Sequence, residues 1–109
     1  MPKPSLTPEL LELVAHRFKV LAEPARLAIL NALRARELTV SDIVDKTGLG
    51  QANVSKHLQL LYSHGFITRR KDGLYAYYAL ADRRVFTLCD VMCNSLQDVA
   101  KLRRKLLAS

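Results

Sequence analysis

The two cysteines of the chain, Cys89 and Cys93, stand four residues apart in "TLCDVMCNSL", residues 87–96. At helical spacing they share a face, with backbones about 6 Å apart along the axis. Two thiolates alone make an open, weak site. If two chains paired along this helix, their thiols could gather near the two-fold axis. Three or four thiolates suit arsenite, cadmium, zinc or a similar soft ion. A disulfide within one helix would be strained, because its torsion is narrow. A disulfide across the dimer, or a persulfide, meets no such obstacle. Packing alone accounts for the pair most simply, since free cysteine behaves as a small hydrophobe. Soft-ion binding and thiol redox sensing stand beside it.

A second constellation lies at residues 50–57, "GQANVSKH". Gly50 and Ala52 are small enough for close approach to a surface. Gln51 and Asn53 carry the amides that pair with adenine edges, and Ser55 can bond a base or a phosphate. Lys56 reaches a phosphate or a guanine, and His57 a phosphate. A third, "TRRKDG", puts Arg69, Arg70 and Lys71 beside a turn, where they could straddle a phosphate backbone or enter a minor groove. The bland alternatives are a solvated helix face and charges that blunt an exposed strand edge. Adjacency of the basic cluster to the small polar helix start favours DNA. His16, His57 and His64 fit surface, capping or DNA contact better than ligation.

The elements that would position these residues are mostly helical. Thr7 caps a helix over 8–21, with Pro8 and Glu9 in its first turn and Leu10, Val14, Phe18 and Leu21 on one face. Pro24 opens a second helix, with Leu27, Leu30 and Leu33 on its apolar face. Thr39 and Asp42 form a capping box for a short third helix that stops at Gly48. Val54, Leu58 and Leu61 make the apolar stripe of a fourth, ended by Gly65. Asp72-Gly73 reads as a hairpin turn between two short strands, in which Tyr75, Tyr77 and Leu80 suit pleated positions. A last helix covers about 83–106. Along it Val85, Cys89, Met92, Leu96 and Val99 recur at steps of four and three, which is a helix-packing seam. Two short helices across a glycine-containing turn read as a helix-turn-helix over 38–65, and the hairpin over 66–80 as its wing. The expected fold is mainly α with a β-hairpin wing, in one domain over 1–109.

Bulk properties agree. At 109 residues the chain is one ordinary domain, and half its residues are hydrophobic, enough for a core without disulfides or metal. Seventeen Lys and Arg against ten Asp and Glu give a net charge of +7, which points to a polyanion partner if the charge is localised. There is no run of about 18 apolar residues and no visible signal peptide, so a membrane is not expected and a reducing cytoplasm is.

The stretches "FKVLAEPARLAILNAL", "ELTVSDIVDKTGLGQANVSKHLQLLYSHGFITRRKDGLYAYYAL" and the closing helix resemble the ArsR/SmtB family of winged helix-turn-helix repressors, from about Leu13 to Leu96. The resemblance implies a homodimer through the first and last helices, 8–21 and 83–106. It also implies a recognition helix in the major groove and an effector that releases the protein from an inverted-repeat operator. By position, Gln51, Ala52, Ser55 and Lys56 match the family's groove-facing residues, and Thr39, Val40 and Ser41 the start of its positioning helix. The family's usual effector sites are broken. Thr39 and Ser41 stand where the metalloid-sensing cysteines of "E-L-C-V-C-D-L" would be, and hydroxyls are poor ligands for thiophilic ions. In the last-helix zinc site Asp82 matches, but Arg84 replaces the first His, and Ser95 and Asp98 fall at the later pair. A guanidinium does not ligate a metal.

The expectation is therefore a transcriptional regulator that binds double-stranded operator DNA as a homodimer. It requires no cofactor, and Cys89 and Cys93 are its remaining candidate site for a soft metal or metalloid. The alternatives are an effector-independent repressor with structural cysteines, or a dimerisation module without DNA binding. Ser55, Lys56 and His57 do not form a hydrolase signature, and no paired carboxylate, nucleophile constellation or phosphate loop supports an enzyme.

Overall fold

The first three helices start where the sequence supplies an acceptor or a proline. In the computed structural model, which describes residues 5–108, Thr7 is extended and its hydroxyl oxygen accepts the Leu10 N–H at 3.2 Å. Helix α1 (Pro8–Leu21) follows, then α2 (Pro24–Ala32). The capping box forms as expected. Thr39 Oγ1 accepts the Asp42 N–H at 3.2 Å, and the Asp42 carboxylate accepts the Thr39 N–H at 3.1 Å, opening α3 (Val40–Thr47). Gly48 closes α3 at φ 73°, a left-handed conformation that glycine adopts without a Cβ penalty. Helix α4 (Gln51–Ser63) begins three residues later.

Strands β1 (Ile67–Asp72) and β2 (Tyr75–Leu80) pair antiparallel, with Ile67 opposite Leu80 and Asp72 opposite Tyr75. The turn therefore lies one residue later than the sequence predicts. Gly73 and Leu74 are its two central residues, and only Gly73 has positive φ, at 62°. That is the primed turn with glycine first, not the Asp-Gly form, which would need two left-handed residues. Leu38 extends the hairpin by a short third rung, exchanging hydrogen bonds of 2.8 and 2.9 Å with Tyr78.

The core is one cluster drawn from every element but β2, whose Tyr78 and Leu80 pack partly buried against it. Val54, Leu58 and Leu61 of α4 are fully buried against Ile29, Leu30, Leu33, Leu38 and Ile43, as the α4 stripe predicts. Leu27 departs from expectation. It is exposed, and Ile29 takes its place inside, because the buried face of α2 is rotated by part of a turn.

Helix α5 (Val85–Ala108) begins two residues after the predicted start and runs two further than its predicted end. Only Val85 and Phe86 of its residues are buried. Leu88, Val91, Met92, Leu96, Val99 and Leu102 are all exposed in the single chain, as are Leu11, Leu13 and Phe18 on α1. The radius of gyration is 17.3 Å, well above the roughly 13 Å of a compact domain this size, because α5 projects from the body.

Replacing Leu58 by alanine should cost about 2–5 kcal/mol, whereas Thr39→Ala should cost about 1 kcal/mol. Urea denaturation checks both, and a Leu58→Ala cost smaller than that of the cap would contradict this account of the core.

Candidate nucleic-acid interface

Because one face of α4 is locked in the core, its opposite face is set by helical geometry. Gln51, Ala52, Asn53, Ser55, Lys56 and Gln59 are exposed there. Gly50 caps the helix without a side-chain hydrogen bond, and the first intrahelical bond is Val54 N–H to Gly50 O at 2.9 Å. The amides of residues 51–53 thus point outward at the positive end of the helix dipole, an arrangement that favours a phosphate. Before the turn, Thr47 Oγ1 donates to Ile43 O at 2.7 Å and accepts the Leu49 N–H at 3.3 Å, fixing the angle at which α4 leaves α3.

His57 is placed differently from its predicted phosphate-facing role. It is half-buried toward α2, with Nδ1 3.4 Å from the Arg26 guanidinium, which also donates to Val20 O. A guanidinium only donates, so His57 Nδ1 is the acceptor. Thr39 and Ser41 flank the start of α3. Ser41 is exposed, while the Thr39 oxygen is engaged in the cap. Asp42 is held below the ordinary carboxylate range by the Thr39 backbone N–H, with the Thr39 side chain second.

On the wing, Arg69, Arg70 and Lys71 are exposed, but they do not act as one cluster. Strand alternation puts Arg70 on the face opposite Arg69 and Lys71. There it lies 4.6 Å over the Tyr77 ring, forms a two-point contact with Glu37 and sits 3.6 Å from Asp72. Hydrogen bonding from Arg70 holds Glu37 below its usual pKa. Arg70 therefore clips the wing to the α2–α3 loop, and Arg69 and Lys71 are the freer cations.

Asp82 and Arg84, the pair that stands in place of the last-helix metal motif, bind each other. The guanidinium contacts both carboxylate oxygens at 2.7–3.1 Å, and Asp82 accepts the Arg84 N–H at 2.9 Å. These side-chain and backbone hydrogen bonds hold the Asp82 carboxyl down at about 2. No group of three or more metal-binding side chains occurs among the described residues. Cys89 is half-buried and Cys93 exposed, both free thiols, on the part of α5 that projects.

One grouping was not visible in the sequence. His16 of α1 and His64, the C-cap of α4, meet at 2.8 Å between their Nε2 atoms, although 48 residues separate them. Arg17 donates to the His64 carbonyl at 2.9 Å and covers the Phe66 ring. No local pattern marks such a contact.

Two helices across a tight turn, an exposed polar face on the second and a hairpin beside it define a winged helix-turn-helix domain. Residues 23–69 match the family described as "Bacterial regulatory protein, arsR family". A probable mercury resistance operon repressor from Streptomyces lividans is 36% identical over 74 residues, covering 68% of this chain and 59% of that protein. The crystal structure of Rv0081 from M. tuberculosis superposes with a TM-score of 0.77 at 33% identity, covering 89% of this chain and 98% of that one. The homodimeric winged helix-turn-helix DNA-binding domain of Mb0332 from Mycobacterium bovis, a possible ArsR-family regulator, gives a TM-score of 0.73 at 32% identity, over 88% and 92% of the two chains. The chain belongs to the arsR family of bacterial regulatory proteins, a family of transcriptional regulators and not of enzymes. It spans 46–64% of the length of the first curated relatives it matches.

The Asp82 contact sets a pH dependence. Its contribution to stability is complete above the ordinary value of 3.8 and is lost as pH falls through about 2. Arg84→Ala should return the Asp82 titration, followed by carboxyl carbon chemical shift, toward 3.8. An unmoved midpoint would mean that the guanidinium is not its cause.

Proposed function

We propose that this chain acts as a homodimeric transcriptional repressor that binds double-stranded operator DNA. The observation that carries the reading is the exposed face of α4. Gln51, Ala52, Asn53, Ser55 and Lys56 stand together there, behind a fixed turn and beside a basic wing. Gln51 and Asn53 read base edges, Lys56 and the open amides of the helix start hold phosphates, and Ser41 and the Thr39 hydroxyl hydrogen position α3 on the backbone. Arg69 and Lys71 extend the contact from the wing. Arg70 and His57 serve mainly to hold wing and helix in place. The whole of 1–109 works as one domain, with residues 1–4 and 109 outside the described part.

Pairing rests on the apolar faces of α1 and α5. Both are exposed in the single chain, and a second copy would cover them through α1 (8–21) and the last helix. The Mb0332 domain, similar over most of this chain, is described as homodimeric. A two-fold dimer places its recognition helices on half-sites about 34 Å apart. Among the described residues no helix is long and apolar enough to cross a membrane. The work on DNA is assigned to the cytoplasm.

An effector enters at Cys89 and Cys93. They lie one helical turn apart, and pairing of the α5 helices would bring the thiols of two chains together. A thiophilic ion such as arsenite, cadmium or zinc, or a thiol-reactive compound, would bind there and alter the pairing. One relative is named for mercury resistance, which concerns an ion of the same soft character. The second reading, cysteines that only pack, is favoured by the half-burial of Cys89 beside Val85 and Phe86.

Two outcomes test this. On a duplex selected from a random pool, Lys56→Ala should weaken binding about tenfold and lower the slope of log affinity against log salt by about one. Unchanged affinity and slope would remove α4 from the groove. Cadmium and arsenite should release the reduced dimer from that duplex, and Cys89→Ser or Cys93→Ser should suppress the release. Equal release from the variants would leave the cysteines as packing residues.

A further inference from the structure

The contact between His16 and His64 has a chemistry that the repressor reading does not use. His64 Nδ1 lies 2.9 Å from the Leu60 carbonyl oxygen, one turn back on α4. A carbonyl oxygen accepts, so Nδ1 carries the hydrogen and, in the neutral ring, Nε2 carries the lone pair. His16 Nε2, 2.8 Å away, must then donate. The two rings share one proton between them. Neither ring is deeply buried, so water and protons reach both.

The position gives the contact leverage. Helix α1 packs mainly on α2, and its hydrogen bonds to the end of α4 come from His16 and from Arg17, which donates to the His64 carbonyl. The other end of α4 carries the face assigned to DNA. We infer that His16 and His64 are positioning residues for DNA binding. They form a one-proton clasp that couples α1 to the recognition helix when His64 is neutral and parts when both rings are charged.

The charges around the clasp favour opening on acidification. When both rings hold two protons, two N–H groups face each other across 2.8 Å. Arg17 stands on the same side and adds a third positive charge. Across from it, Asp82 of the α5 approach feels Arg17 but is itself bound by Arg84. On α1, Glu12 and Lys19 flank His16 at helical spacing and offset each other. On α4, Ser63 Oγ is 3.3 Å from His64 Nδ1 and donates to the Leu60 carbonyl at 3.0 Å, so it supplies no charge. Imidazole is the side chain whose charge changes between pH 5 and 8. The clasp is therefore closed while His64 is neutral and opens once acidification has charged both rings.

This inference rests on the repressor reading, and its test separates the two. His16→Gln is the informative variant. Its amide can donate to neutral His64 or, turned over, accept from the charged ring, so its contact survives in both states. Two measurements use the full chain. Long-range proton–nitrogen spectra of the rings at about pH 8 should show hydrogen on Nδ1 of His64 and on Nε2 of His16. Fluorescence anisotropy on the pool-selected duplex, at constant ionic strength, should show native and His16→Gln chains binding alike at about pH 8. At about pH 5.5 the native chain should bind about three- to tenfold more weakly than the variant, the equivalent of one hydrogen bond. Parallel pH profiles for the two chains would overturn the clasp, as would hydrogen on Nε2 of His64 at the higher pH. A native chain that binds no duplex at either pH fails the repressor reading instead, and the ring spectra then decide the clasp alone.

Discussion

Burial of Val54, Leu58 and Leu61 is the constraint on which the rest of the domain depends. These side chains fix the rotation of α4 about its own axis. Once they are inside, residues 51, 52, 55, 56 and 59 have no choice but to face out. The polar face is thus a consequence of the apolar one. Leu30, Leu33, Leu38 and Ile43 complete the same cluster, so α2, α3 and the root of the wing share a single packed centre with α4. A displacement of any of them would turn the outer face as well, because close-packed interiors transmit strain.

Around this centre the chain uses its positive charge in two ways. Part of it is structural. Arg17 covers Phe66 and Arg34 covers Phe86, while Arg26 and Arg83 donate to backbone carbonyls. Arg70 and Arg84 are bound by Glu37 and Asp82. The rest, including Lys56, Arg69 and Lys71, stands in solvent. Net charge alone therefore overstates the charge available to a polyanion. Exposed ion pairs contribute little to stability in general. Here their effect is geometric, with Arg70 setting the wing against the α2–α3 loop.

Much of this was legible in the sequence because it is local. The Thr39–Asp42 box, the Gly48 stop and the α4 stripe each follow from residues within a turn or two, and all three formed as read. The hairpin was legible in existence but not in register. Asp-Gly and Gly-Leu turns compete over overlapping residues, 71–74 against 72–75, and pairing of Ile67 with Leu80 decides between them. The inward face of His57, the Glu37–Arg70 clip and the His16–His64 contact were not legible. Each joins residues more than 30 positions apart, and depends on the angle between elements, which no short pattern encodes. The seam on α5 is legible as a pattern, of which Val85 belongs to the core while Met92, Leu96 and Val99 are exposed in the single chain.

On the proposed function, DNA meets the outer face of α4 and the wing, and not the second basic run at the end of α5, where Lys101, Arg103, Arg104 and Lys105 also lie exposed. Backbone amide shifts of the isotope-labelled dimer, followed as duplex DNA is added, separate the two. The largest shifts should fall on residues 50–57 and 69–74, with α5 beyond Met92 little changed. Shifts concentrated on residues 101–105, with α4 unmoved, would contradict that reading.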